Sequence, residues 1–119
     1  MKEYSFEKLD VWQGSRKLSF KIYELTKRFP EEERFGLVSQ MRRASISVGS
    51  NLAEGSARKT NKDRVYFISI AYGSLMELLN QVVLSNDLGF IVESDYLDIR
   101  SMIEYLSRQM SAYRRSFEE

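Results

Sequence analysis

The side chains that could do chemistry in this chain are few. Its 119 residues include no cysteine and no histidine. That removes the commonest general base, the commonest transition-metal ligand and the usual physiological-pH switch, along with any thiolate site. Carboxylates, lysines, tyrosines and hydroxyls remain. Among the carboxylates with apolar neighbours on both sides are Glu54, in the run Asn51-Leu52-Ala53-Glu54-Gly55, and Glu77, between Met76 and Leu78. Helical bundles that hold paired iron ions combine glutamates with Glu-x-x-His motifs. Without histidine, Glu54 and Glu77 are expected to pair with arginines at helix ends or subunit contacts, and no metal or cofactor is expected. Ser39, Ser45, Ser47, Ser50 and Ser74 have no histidine or evident lysine to activate them. With Ala44, Gly49, Ala53, Ala71 and Gly73 they read instead as small residues that let helices approach closely. Neither a Gly-x-Gly-x-x-Gly nor a Gly-x-x-x-x-Gly-Lys-Ser/Thr phosphate loop occurs. No catalytic residue and no small-molecule substrate are expected, so the reading is of a protein that is not an enzyme.

The basic residues carry the remaining functional signal. Net charge is only +1, so no global field draws the molecule onto nucleic acid or an acidic membrane. Locally the balance differs. Between Arg34 and Arg64, seven basic residues face two acidic ones, whereas from Gly89 onward four arginines face six carboxylates. Arg42 and Arg43 fall on one predicted helix, and Arg58, Lys59, Lys62 and Arg64 cluster at its junction with the next. These six are the candidate contacts to RNA or DNA phosphates, and several copies on one assembly would reinforce one another.

The elements that position these residues follow from apolar side chains recurring every three or four positions, the helical period. A first helix is predicted from about Asp10 to Arg28, with Val11, Ser15, Leu18, Ile22, Leu25 and Phe29 as its seam. Pro30 stops it, and Glu31, Glu32 and Glu33 suit the positive end of a second helix starting near there. That helix has Leu37, Met41, Ala44, Val48 and Leu52 as its seam, a bend at Gly49 and a left-handed cap at Gly55. A third opens at Thr60 with an approximate capping box to Asp63 and runs to about Asp87, where Leu88-Gly89 ends it. A fourth begins at Ser94 and carries Ile99, Ile103, Leu106, Met110, Tyr113 and Phe117 on one stripe. Short connections between long helices force antiparallel neighbours. The expected fold is therefore all-α, an antiparallel up-down-up-down four-helix bundle in which residues 1–119 form a single domain.

Met1 to Asp10 mixes charges and has no apolar run of the kind seen in secretory signals, which predicts a cytoplasmic protein. The uncharged stretch Val65 to Met76 is shorter than the ~20 residues a spanning helix needs, so no membrane segment is predicted. The third helix nonetheless has apolar residues on every side. A helix of that kind has to be covered on its far face as well, and in so short a chain the cover is expected from another subunit. Tyr66, Ile68, Tyr72, Leu75, Leu79 and Val83, with Phe20 and Ile46 off their own seams, are the candidate oligomer interface.

Several strings occur in a recognisable order: Phe6-x-x-Leu9-x-Val11-Trp12, Phe29-Pro30-x-x-Glu33, Phe35-Gly36-Leu37-x-x-Gln40-x-Arg42-Arg43-Ala44, Ser47, Asn51-Leu52-Ala53-Glu54-Gly55 and Ile70-Ala71-x-Gly73-Ser74-x-x-Glu77-Leu78. Over nearly the whole chain they resemble the bacterial four-helix-bundle family named for proteins encoded in intervening sequences of 23S ribosomal RNA genes. The resemblance implies a left-handed bundle, a homopentamer around a central channel and no known enzymatic activity. A related group, the accessory variability determinants of diversity-generating retroelements, binds nucleic acid through a strongly basic surface that a net charge of +1 does not reproduce. At Gly49 the family often has proline, in keeping with a bend. By resemblance Gln40, Arg42, Arg43, Asn51, Glu54 and Gly55 are the motif residues. Their simplest roles are structural, with Arg43 and Glu54 as an ion pair, Gly55 as a helix cap and Trp12 as a core or interface anchor.

Overall fold

The computed structural model describes residues 1–118. Helix α1 spans Asp10–Thr26, and Val11, Ser15, Leu18, Ile22 and Leu25 are all buried, as is Phe29 beyond its end. The seam is therefore the one its four-three spacing dictates. Thr26 Oγ1 donates back to the Ile22 carbonyl at 2.7 Å, and Pro30 follows in extended geometry. The chain does not then enter the second helix directly. Glu31–Glu33 form a 3-10 turn and Arg34–Val38 a π-type turn in which Gly36 leaves helical geometry (φ −108°, ψ −111°). Glu33 still acts at a positive helix end, since its carboxylate accepts from the Leu37 N–H at 3.4 Å, but α2 proper is Ser39–Ser56.

Met41, Ala44, Val48 and Leu52 are buried on α2. Gly55 is not the left-handed cap expected of it. The helix runs through Gly49 without a break, and Gly55 lies inside it. Both serve close approach. A Cβ at Gly55 would stand 2.9 Å from the Phe67 Cβ, and one at Gly49 3.0 Å from Ser15 Oγ. Helix α3, Asn61–Asp87, opens as predicted, with Thr60 Oγ1 accepting from the Asp63 N–H at 3.1 Å. The reciprocal bond from the Asp63 side chain is not formed. After α3 the chain turns at Gly89 with φ +80°, which only glycine adopts without strain. Helix α4 is Glu93–Arg115, and its N-cap position is held by Val92 rather than Ser94. No side chain caps it, but Glu93 and Asp95 place negative charge in its first turn.

Side-chain pairings fix the helix directions. Between α1 and α2, Ser19 donates to the Ser45 carbonyl and Arg42 to Thr26, so numbers rise on one helix as they fall on the other. Ser47 with Ser74 and Ser85 with Met41 give the same sense for α2 and α3. Arg64 over Phe117 and Arg114 over Tyr72 give it for α3 and α4. Lys21 with Asp98 and Arg28 with Asp95 close the square between α1 and α4. Every neighbouring pair is antiparallel. The fold is an all-α up-down-up-down bundle with one core, in which Leu18, Ile22, Met41, Leu52, Leu75, Leu78, Ile99, Ile103 and Met110 are almost wholly inaccessible.

Candidate functional site

The residues singled out as an oligomer surface do not lie together. Ile68 and Leu75, 2 % and 0 % exposed, belong to the core of the chain's own bundle and are not available to a second subunit. Tyr72, Leu79 and Val83 are half-buried on the flank of α3 that turns toward α4. Of the α3 candidates only Tyr66, 61 % exposed, stands fully outward. The outer face of α3 is the stripe Tyr66, Ser69, Gly73, Glu77, Asn80 and Leu84, all exposed and one helical turn apart. It is more polar than the sequence suggested. The inner positions fall between helices α2 and α4, and an apolar run at helical spacing cannot by itself show which arc meets which neighbour.

Taken whole, α3 is long and apolar enough to cross a membrane, and only 33 % of its most apolar window is buried within the chain. Counting an unbroken uncharged run hid this, because Glu77 is the single charge between Val65 and Val82.

Phe20 and Ile46 mark a different surface. They line a groove of about 720 Å³ between α1 and α2. Trp12, Phe20 and Tyr23 line it beside the buried or half-buried small residues Ser15, Ser19, Gly49 and Ala53, with exposed Ser50 at its edge and the Glu24–Lys27 ion pair also in its lining. Phe6 closes one end, its ring packed edge-on against Trp12 with centroids 5.0 Å apart. Arg16 lies along the wall with its guanidinium 5.5 Å from the Trp12 ring. Phe20 is 67 % exposed. Tyr23 and Arg16 were not singled out from sequence, and Phe6 only as part of a family string, because residues off a seam carry no periodic signal.

The six basic candidates separate into two groups. Arg42 is committed to α1, with Nε donating to Thr26 Oγ1 at 3.0 Å and its guanidinium 4.5 Å from the Tyr23 ring. Arg43 is exposed beside it. From Arg42 to Arg58 the helix advances about 24 Å, so the other four sit at the opposite end of the bundle. There Arg58 stacks on Phe67 at 4.5 Å, Lys59 and Lys62 are exposed, and Arg64 donates to Asn61 Oδ1 at 2.7 Å. Arg64 also covers Phe117, which brings Arg114 and Arg115 of α4 to the same end. That pair was hidden in a segment with an acidic balance. Tyr113 lies here too, with burial raising its pKa and Arg64 working against that rise.

The motif residues are structural where they have partners. Trp12 packs on the core at the groove wall. Asn51 Nδ2 donates to the Ser47 carbonyl at 2.9 Å and to Ser47 Oγ at 3.2 Å, and Ser47 meets Ser74 Oγ at 2.8 Å, tying α2 to α3. Gln40 is exposed. The expected Arg43–Glu54 pair is not formed. Eleven positions apart, the two leave α2 more than 15 Å from each other along its axis, and Glu54 pairs instead with Arg58 at 3.8 Å. Glu77, expected beside an arginine, has no ion-pair partner among the described residues. No group of three acidic side chains is placed to hold a metal ion among those residues.

The class this defines is a small antiparallel helical bundle whose distinctive surfaces are an aromatic groove and a basic end. Residues 7–112 match the family described as 23S rRNA-intervening sequence protein. The chain belongs to that family. Its fold is also similar to a crystal structure of a protein of unknown function from the S23 ribosomal protein family of Bacteroides thetaiotaomicron. The TM-score is 0.81 at 20 % identity, over 88 % of this chain and 95 % of that one. No curated protein matches the sequence.

Proposed function

We propose that the protein is a non-enzymatic, self-assembling scaffold or adaptor, built as a homopentamer of the bundle described above. One observation carries the reading. The α1–α2 groove leaves Phe20, Tyr23 and Ile46 67 %, 38 % and 47 % exposed, and Tyr66 and Leu84 stand exposed at the two ends of the α3 stripe. Apolar side chains exposed together in this way are stabilised by cover, at roughly 25 cal/mol per Å². Another copy of the chain supplies that cover in the cytoplasm. The pentameric count comes from the family resemblance. Multi-angle light scattering tests both parts: the purified protein at micromolar concentration should give about five times the single-chain mass of 14.0 kDa. A monomer overturns the reading, and flotation with liposomes of neutral lipid would assign the exposed face to a membrane instead.

A second reading, sequence-tolerant binding of RNA or DNA, has one observation of its own. The basic end gathers Arg58, Lys59, Lys62 and Arg64 from the α2–α3 junction with Arg114 and Arg115 from the end of α4, against Glu54, Asp63 and Glu118. Repeated round a ring, such a patch gains affinity through effective concentration. Binding to structured RNA should weaken steeply between 50 and 200 mM salt, on the order of tenfold or more, and fall in the double variant Arg58→Glu/Lys59→Glu. No binding at low salt removes this reading and leaves the first untouched.

A further inference from the structure

Between α1 and α2 the chain has a groove, on the outer face of α3 it has a helical ridge, and each of the two carries an unpaired charge of opposite sign, Arg16 and Glu77, among the described residues. We propose that groove and ridge are the two halves of one subunit contact: α3 of one copy lies in the α1–α2 groove of the next, with Glu77 meeting Arg16 of that neighbouring copy. The proposal rests on the self-assembly reading above and specifies where the copies touch.

Charge is the first argument. Arg16 holds its guanidinium over Trp12 on the groove wall and is in no ion pair among the described residues. Glu77 is exposed midway along the α3 stripe and is likewise unpaired. An arginine on an aromatic wall is a good site for a carboxylate brought in by another surface, because its planar fork stays free to donate. Shape is the second. The groove sets aromatic side chains beside small residues, which admits the ridge of a helix. It follows α1 from Trp12 to Lys27, about 22 Å at 1.5 Å per residue, and the stripe from Tyr66 to Leu84 is about 27 Å long.

Gly73 is the third argument. It sits in the middle of a 27-residue helix with nothing within 4 Å of where a Cβ would be. Glycine there costs about 1 kcal/mol of helix stability relative to alanine, and no close contact within the chain requires it. In the docked arrangement it faces the small residues of the neighbour's groove, where the absence of a side chain lets the two backbones approach.

The two surfaces lie on different sides of the bundle, so the contact is head-to-tail and closes only as a ring or continues as a filament. That property makes it testable by cross-linking, since the natural chain has no cysteine to interfere. Ser50→Cys places a thiol in the groove close to the level of Arg16, and Asn80→Cys places one on the α3 face one helical turn from Glu77. Under mild oxidation each variant alone should stay uncrosslinked, and co-expression of the two should give a disulfide-linked pair. The chain carrying both substitutions should give a covalent ladder that stops at the subunit number. In parallel, Arg16→Glu and Glu77→Arg should each shift assembly about tenfold or more toward higher concentration by light scattering, with helicity by circular dichroism unchanged. The double variant Arg16→Glu/Glu77→Arg should restore assembly. Wild-type-sized assemblies in both single variants, with no mixed cross-link, overturn this interface while leaving self-assembly intact. Cross-linking of Ser50→Cys with itself overturns it in favour of a two-fold contact. A monomeric wild type overturns both this proposal and the one it rests on.

Discussion

Tyr113 lies where the end of α4 passes the start of α3, and burial raises its pKa above the ordinary phenol value, although the nearby Arg64 charge pulls it down. The unfolded chain therefore loses this proton at lower pH than the native one. Between the two pKa values the native state holds more protons, so stability falls as pH rises. The contribution is fully present below about pH 10 and is lost above it. Lys21 acts in the same direction, raised first by its hydrogen bond to Asp98 against some desolvation, and it loses its contribution above its own ordinary range. Tyr113→Phe should consequently flatten the decline in thermal midpoint between pH 9 and pH 11. An unchanged slope would show that the tyrosine is not coupled to folding. Arg42 illustrates what a sequence hides at this scale. Basic side chains on a helix look alike until a neighbour is placed, and only the fold shows this one spent on Thr26 and Tyr23 while Arg43 beside it stays free.

Among the elements, α1 and α4 were legible almost to the residue, because each buries one stripe against the core and periodicity reports that directly. The start of α2 was not. Pro30 and the three glutamates do mark a helix beginning, but the 3-10 and π-type turns that follow depend on how Phe29 and Val38 are buried, which is a tertiary matter. Glycine was ambiguous for a related reason. The same residue type serves a left-handed cap, a bend or a close approach, and Gly49 and Gly55 serve the last while Gly89 serves the first. The distinction has a measurable consequence. Gly55→Ala would improve helix propensity by about 1 kcal/mol if the site were an ordinary interior position. Its Cβ would instead stand 2.9 Å from that of Phe67, so the α2–α3 crossing has to open. Overpacking of this kind costs about 1–3 kcal/mol, and the net result should be a lower urea midpoint with an unchanged slope. A higher midpoint would mean the two helices separate without cost.

For the whole molecule, the number of helices and their antiparallel order followed from apolar spacing and short connections, and the candidate surfaces did not. The sequence showed too much apolar residue in α3 but could not say that two of its flanks meet α2 and α4, or that Trp12, Phe20 and Tyr23 of α1 would line one groove. That division bears on stability. If native subunits associate and unfolded ones do not, association adds to the stability of the folded state by mass action. For a ring of several subunits each tenfold rise in protein concentration adds about 1 kcal/mol per chain, since a factor of ten is worth about 1.4 kcal/mol and one subunit in each ring pays no association term. In a domain of this size that raises the thermal midpoint by about 4 °C. The wild-type midpoint should therefore climb with concentration over the micromolar range, as followed by circular dichroism. Arg16→Glu, which leaves the bundle core untouched, should begin lower and rise only at the higher concentrations where it still assembles. A wild-type midpoint that does not move with concentration would place all of the protein's stability inside one chain, with the exposed face of α3 needing no cover.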